Sequence, residues 1–298
     1  MTSFGPSEMW RRIGAEMEAE FTGDPASYSI HSLNRFIAVW NPATSGLRYA
    51  KTALYLAATQ LTARQIEILR AVGPRRLSGG ALEVTVAGER INFDYLSVAL
   101  EVDFMRPLLE TATSVMEIGA GYGRTCHGVL KAFPNVRRYV IVDLAPCLAL
   151  SRAYLRRVLT DAELARVEFR ANDDIAGWVA DMDLAINIDS MAGMDEPVIR
   201  NYFAIVDGMA SGFYCKNPVG KYDPSVVGVE AVDSPAVAQA LKTGLMREVV
   251  DIFDADQVAA KADEFVAAYR PSDAWRVLAH SPAPPWSFYH QALYRRGR

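Results

Sequence analysis

From Ser114 onward, short apolar runs alternate with longer amphipathic ones. SVMEIG, RRYVIVD, RVEFRA, MDLAINID and GFYCKN read as strands. Between them, GRTCHGVLKAF, LALSRAYLRRVL and VIRNYFAIV carry the spacing of helices. Such alternation predicts a parallel sheet covered by helices on both faces, because parallel strands need long crossovers and bury both sides. Two further β-like runs, Trp275 to His280 and Ser287 to Arg295, are joined by the proline-rich SPAPP. They suit an antiparallel pair at the sheet edge.

The pattern is different before residue 111. Helical spacing over Met9 to Phe21 stops at Gly23, Asp24 and Pro25. Further helices are predicted over Leu47 to Ala58 and Thr62 to Val72, with Thr62 as N-cap. After a break at Ser78, Gly79 and Gly80, Ala81 to Phe93 reads as two short strands about a turn at Ala87-Gly88. Asp94 to Leu109 returns to helix, with Pro107 a kink or boundary. The chain therefore divides into a helical accessory or lid region with a short β-hairpin, 1–110, and an α/β domain, 111–298.

Composition narrows the class of function. Apolar residues make up 51% of the 298 residues, enough for a substantial core. Basic and acidic residues number 31 and 35, and the net charge of -4 speaks against a nucleic acid as main substrate. Cys126, Cys147 and Cys215 are an odd number without CxxC spacing, which suits reduced thiols rather than a disulfide framework or zinc site. Met1 to Arg12 has no apolar signal core, and no run approaches the ~20 apolar residues of a membrane span. The expectation is a cytoplasmic enzyme, with no membrane or nucleic-acid partner, acting on a small molecule.

The chemistry concentrates at Glu117-Ile118-Gly119-Ala120-Gly121-Tyr122-Gly123, where the first α/β strand ends. Alternate glycines let the backbone turn sharply and approach a ligand, and the following helix points its amides at it. The pattern is E-x-G-x-G-x-G. A dinucleotide fingerprint needs G-x-G-x-x-G, and Arg124 stands where its third glycine belongs. The second strand ends in Asp143, placed to accept hydrogen bonds from a ribose diol.

Glu117 to Gly123 with Asp143 resembles the cofactor signature of class I S-adenosylmethionine-dependent methyltransferases, over about residues 111 to 298. The resemblance implies a Rossmann-like, mostly parallel sheet with an antiparallel last strand, Phe288 to Tyr294. It also implies that Glu117 and the loop Gly119, Ala120, Gly121 and Gly123 line the methionine of S-adenosyl-L-methionine. Asp143 would hold the ribose, Leu144 would pack on adenine, and Asn172 or Asp173 would approach the adenine amine. EIGAGYGRTCH, YVIVDLAPCLALSRAYL, NIDSMAGM…IRNYF and INFDYLSVALEV together resemble sugar O-methyltransferases of natural-product pathways. The chain departs from that group at Gly193, where an acid is expected, and at Ala145, where proline is usual.

Transfer of a methyl group to a hydroxyl needs alignment and removal of a proton. His127, one turn into the helix after the glycine loop, is a base, a cofactor-orienting group or a packed core histidine. Asp189, after the fourth strand, is a base, a substrate clamp or a helix N-cap. Asn187 and Asn217 end adjacent strands and contact cofactor or substrate, respectively, or occupy surface loops. Glu101 reaches in as a lid residue or lies on a solvated helix face, and alternation leaves the direction of His290 open. Tyr28 and His31 are candidates to cap the site. Aromatic residues of the accessory region serve as core, as a possible homodimer contact, or as a pocket wall. No metal site is expected. Rival activities are N-methylation of an amine, which needs little base, and NAD-dependent oxidoreduction, which Arg124 opposes.

Overall fold

The computed structural model describes residues 6–20, 42–76, 78–227 and 234–297. Tyr28 and His31 lie outside the described residues. The accessory region comprises helices α1 (Glu8–Glu20), α2 (Pro42–Thr59), α3 (Ala63–Val72) and α4 (Phe93–Leu109), with a hairpin of β1 (Val84–Val86) and β2 (Glu89–Ile91) before α4. Thr62 caps α3 as expected: its hydroxyl accepts from the Gln65 amide, and the Gln65 side chain accepts from the Thr62 amide at 2.9 Å. That reciprocal pair satisfies two otherwise orphaned donors. The hairpin turns on Ala87 (φ 52°) and Gly88 (φ 82°), and two successive left-handed residues match the twist of the flanking strands. Pro107 sits in the last turn of α4, which ends two residues later.

The α/β part follows in the order β3 (Ser114–Ile118), α5 (Arg124–Ala132), β4 (Arg138–Asp143), α6 (Ala145–Val158), α7 (Asp161–Leu164), β5 (Val167–Ala171), β6 (Leu184–Ile188), α8 (Glu196–Met209) and β7 (Gly212–Pro218). Three short helices come next, α9 (Pro235–Ala240), α10 (Ala255–Ala260) and α11 (Ala262–Ala268). The strands β8 (Trp275–Pro282) and β9 (Tyr289–Arg296) complete the described sheet. Its order is β5-β4-β3-β6-β7-β9-β8. The first five strands run parallel, and β9 lies antiparallel between β7 and β8. The reversed strand is thus flanked on both sides, and β8 forms the edge.

Side-chain alternation splits the core in two. Val115, Tyr139, Ile141, Leu184, Ile186, Tyr214 and Leu293 face one layer, which also contains Leu54, Ile66, Leu69, Val98 and Val102 of the accessory helices. Met116, Ile118, Val140, Val142, Phe213 and Tyr294 face the other, with Phe203 and Val206 of α8. Helices α2 to α4 therefore belong to the same hydrophobic layer as α5 and α6.

Strand order reverses direction at β3. β4 and β5 extend one way, β6 and β7 the other, so a crevice opens between the carboxyl ends of β3 and β6. Ligands of open α/β sheets bind at this switch point. Gly119 and Gly123 shape the crevice, with φ of 77° and 90°. A Cβ on Gly119 would lie 2.2 Å from the Ser190 side chain, so the turn closes only around glycine.

Candidate active site

Asp143 ties the crevice together. Its Oδ2 accepts from the Gly121 amide at 2.9 Å and its Oδ1 from the Leu144 amide at 2.7 Å. The Cys147 thiol also hydrogen-bonds this carboxylate, which leaves it one lone pair for an outside donor. Gly121 is exposed, and a Cβ built on it would meet nothing within 4 Å. The turn is thus concave and open on the solvent side. Leu144 projects beside it, 57% exposed, an apolar surface at a polar rim. Asn172 and Asp173 form the 3-10 turn that follows β5, whose last residue Ala171 pairs with Asp143. The residues named from the sequence for the cofactor thereby share one sheet edge. A glycine cradle, a helix N-terminus, a carboxylate and an apolar rim fit a nucleoside with an amino-acid tail.

Glu117 lies beneath the turn, fully buried, with the Tyr139 hydroxyl donating to it at 2.8 Å. Burial pushes its carboxyl up to about 7, against the Tyr139 hydrogen bond and the Arg124 charge, which pull it down. Its folded value exceeds the ordinary 4.5, so its stabilising contribution is complete below pH 4.5 and lost as pH rises through about 7. Glu117→Gln mimics the protonated acid. Relative to the parent, it is expected to gain stability from pH 4.5 to 7 and level off above. At about 1.4 kcal/mol per pH unit the gain is roughly 3 kcal/mol, read from urea midpoints of the ligand-free protein. A difference that stays flat with pH would contradict the burial account.

Glu101 is not on a solvated helix face. It is 1% exposed and reaches inward from α4. Arg124 donates to its two oxygens at 2.7 and 3.1 Å, and the Lys216 ammonium of β7 donates at 2.8 Å. Arg124, the residue in place of a third glycine, thus points at the accessory helix rather than at the crevice. Burial alone would raise the Glu101 carboxyl, but the Arg124 and Lys216 charges outweigh it and hold it below the usual range.

Asp189 follows β6 with φ 63°, a left-handed conformation uncommon outside glycine. Its side chain does not cap the turn Ser190–Gly193. Instead its Oδ1 accepts from the Tyr289 hydroxyl at 2.8 Å, and its amide is fixed by the Lys216 carbonyl at 2.7 Å. Oδ2 has no hydrogen-bond partner among the described residues. Asn187 and Asn217 are fully buried behind it. Asn187 donates to the Ile118 carbonyl at 3.0 Å and the Ser190 hydroxyl at 2.5 Å, and accepts from Asn217 at 3.0 Å. Both asparagines brace the ends of β3, β6 and β7. The Asn217 Oδ1 is buried without a partner among the described residues.

His127 is fully buried among tyrosines. Its Nδ1 is 2.9 Å from the Tyr95 hydroxyl and 3.4 Å from that of Tyr154, and those two hydroxyls also bond each other. Burial lowers its pKa to about 4, so the imidazole is neutral at physiological pH. His290 faces His280, 3.1 Å away, and the Phe265 ring, in the layer under α11. Burial lowers its pKa to about 4 as well.

Sequence reading missed Tyr289 and Lys216. Lys216 carried a signal: it is a cation inside GFYCKNP, a strand whose first six residues are buried. Val98, Glu101, Val102 and Met105 are spaced along one helical stripe, which also marked Glu101 as inward. No local signal links Tyr289 to Asp189, one hundred residues earlier. Among the described residues, no group of three or more His, Cys, Asp or Glu is placed to hold a metal. None of the described helices is long and apolar enough to cross a membrane.

No protein-family profile matches the chain, and no curated protein matches it. Among solved structures, it is similar to the methyltransferase domain of a bacterial CtHen1 protein, at 12% identity over 67% of this chain and 97% of that one, with a TM-score of 0.46. It is also similar to an O-methyltransferase family protein from Burkholderia thailandensis, at 14% identity over 97% of this chain and 96% of that one, with a TM-score of 0.42. The sheet, mostly parallel with β9 reversed beside β7, is Rossmann-like.

Proposed function

We propose that the chain is an S-adenosylmethionine-dependent methyltransferase acting on a hydroxyl of a small molecule. The observation that carries this reading is a coincidence at one sheet edge. The turn E-x-G-x-G-x-G ends β3, Asp143 ends the neighbouring β4, and the sheet carries a reversed β9. The bound cofactor supplies an electrophilic methyl group on a sulfonium. Asp143 holds the ribose hydroxyls, Leu144 covers the adenine with Asn172 or Asp173 at its amine, and Glu117 lies under the methionine end of Gly119–Gly123. Asp189, oriented by Tyr289, takes the acceptor's hydroxyl proton on Oδ2. The neutral, enclosed His127 is a poor rival for that task, since its Nδ1 is occupied by tyrosine hydroxyls. The likeness to sugar O-methyltransferases of natural-product pathways supports a hydroxylated metabolite, with a glycosylated one as the narrower reading.

The test is calorimetric titration with S-adenosylmethionine, S-adenosylhomocysteine and NAD. The first two are expected to bind and NAD to fail. Asp143→Ala removes hydrogen bonds to a charged acceptor and is expected to weaken both by tenfold or more. Binding of NAD alone, or of none of the three, would overturn the reading.

A further inference from the structure

Past the end of β7 lies a cavity of about 190 Å³. Pro218, Tyr222, Pro224, Val237 and Leu241 give it apolar walls, and Lys221 is the charged residue among the described residues that line it. Its size suits one ring with small substituents, and its walls leave few partners for the many hydroxyls of a bare sugar. The cavity is joined to the crevice by a row of aromatic contacts. Tyr222 meets Phe288 edge-on at 5.6 Å, Phe288 meets Tyr289 at 5.0 Å, and Tyr289 donates to Asp189.

Lys221 is held firmly. Its amide donates to the Glu248 carbonyl at 2.7 Å, and its carbonyl accepts from Val250 at 2.8 Å. The ammonium donates to the carbonyl of Ala192, in the turn just after Asp189, at 3.2 Å. That is its one hydrogen bond among the described residues, and an ammonium has three donors to place. Burial lowers the Lys221 pKa; the Asp189 charge works against that and the Arg247 charge with it. An anionic oxygen at the cavity mouth would relieve a half-buried cation of this kind.

We propose that this cavity is the acceptor subsite, that it takes a single apolar ring bearing an acidic hydroxyl, and that the Lys221 ammonium stabilises the ring oxygen as its negative charge develops. The proposal rests on the methyltransferase reading for the fate of that oxygen, not for its binding. The O–H bond breaks, its proton passes to Asp189, and the electron pair stays on the ring oxygen beside Lys221. Preorganised positive charge where an oxyanion forms is among the strongest contributions a site can make.

4-Nitrophenol tests this without turnover, because its ionised form absorbs at longer wavelength than its neutral form. The full chain is titrated with the probe across a pH series. Wild type is expected to bind it, and to ionise it at a pH at least one unit lower than water does. Lys221→Arg is expected to keep that displacement. Lys221→Met is expected to abolish it and to weaken binding of the ionised probe tenfold or more. Leu241→Trp, which fills the cavity, is expected to remove binding altogether. The proposal is overturned if wild type does not bind the probe or leaves its ionisation as in water. It is equally overturned if Lys221→Met keeps the displacement, or if methyl glucoside displaces the probe at lower concentration than phenol does. S-adenosylhomocysteine is titrated separately into the same samples. Its failure to bind wild type would remove the methyltransferase reading while leaving the ring preference standing.

Discussion

Glu101→Ala is expected to destabilise the protein by about 3–5 kcal/mol, the cost typical of stripping one partner from a buried ionic cluster. Both cations that lose their carboxylate are enclosed. The Lys216 side chain is 2% exposed and that of Arg124 18%. Neither has a second carboxylate within salt-bridge distance among the described residues. Glu101→Gln preserves shape and one acceptor and should fall between the parent and the alanine variant. Urea unfolding at pH 7 measures the effect as a lower midpoint with an unchanged slope. A loss below about 1 kcal/mol would mean that water reaches the two cations and that the cluster is a surface feature. The chemistry sets the expected sign with pH: the Glu101 pKa is depressed, so its stabilisation is present at neutral pH and fades as acid protonates it.

The largest expected effect on activity is at Asp189. Asparagine has the same shape and can still accept from Tyr289 at the 2.8 Å position, yet it cannot take a proton. With an acceptor that supports turnover by the parent enzyme, Asp189→Asn should lower kcat by about 10²–10⁴. Binding of S-adenosylhomocysteine should change little. Tyr289→Phe removes only the orienting hydroxyl and should cost far less, about tenfold, in kcat. Formation of S-adenosylhomocysteine followed over time separates these outcomes. If Asp189→Asn retained a third or more of parental kcat, the residue would be no base, and an amine acceptor would become the better reading.

Much of the scaffold is written locally. The strands from Ser114 to Asn217 are visible because buried parallel strands are short, apolar and separated by helices of a different period. The capping box at Thr62 and the turn at Ala87-Gly88 each need only three or four adjacent residues, so sequence alone exposes them. The glycine turn and its neighbouring acid were equally legible as one sheet edge, since Glu117 to Gly123 and Asp143 fall at the ends of two consecutive strands. What escaped depends on residues far apart in the chain. Glu101 in LSVALEVDF lies on the inward stripe of its helix, but the charges that let it be buried, Arg124 and Lys216, stand 23 and 115 residues on and leave no local trace. The place of His127 on α5 leaves base, cofactor-orienting group and packed core histidine all open, and only the arrival of Tyr95 and Tyr154 shows it enclosed. Strand order itself leaves no local trace, because β9 pairs with β7 across the seventy residues between Pro218 and Tyr289.

That last pairing sets a schedule for synthesis. A ribosome releases β7 and then β8 before it makes the strand that belongs between them. During that interval β8 has no neighbour in the sheet, and β7 shows an open row of backbone donors and acceptors beside Phe213, Tyr214 and Cys215, all of them buried once folding is complete. An edge of this kind is a template for pairing with another chain. The nascent protein must therefore keep β8 and the outer edge of β7 from pairing elsewhere until Tyr289–Arg296 emerges.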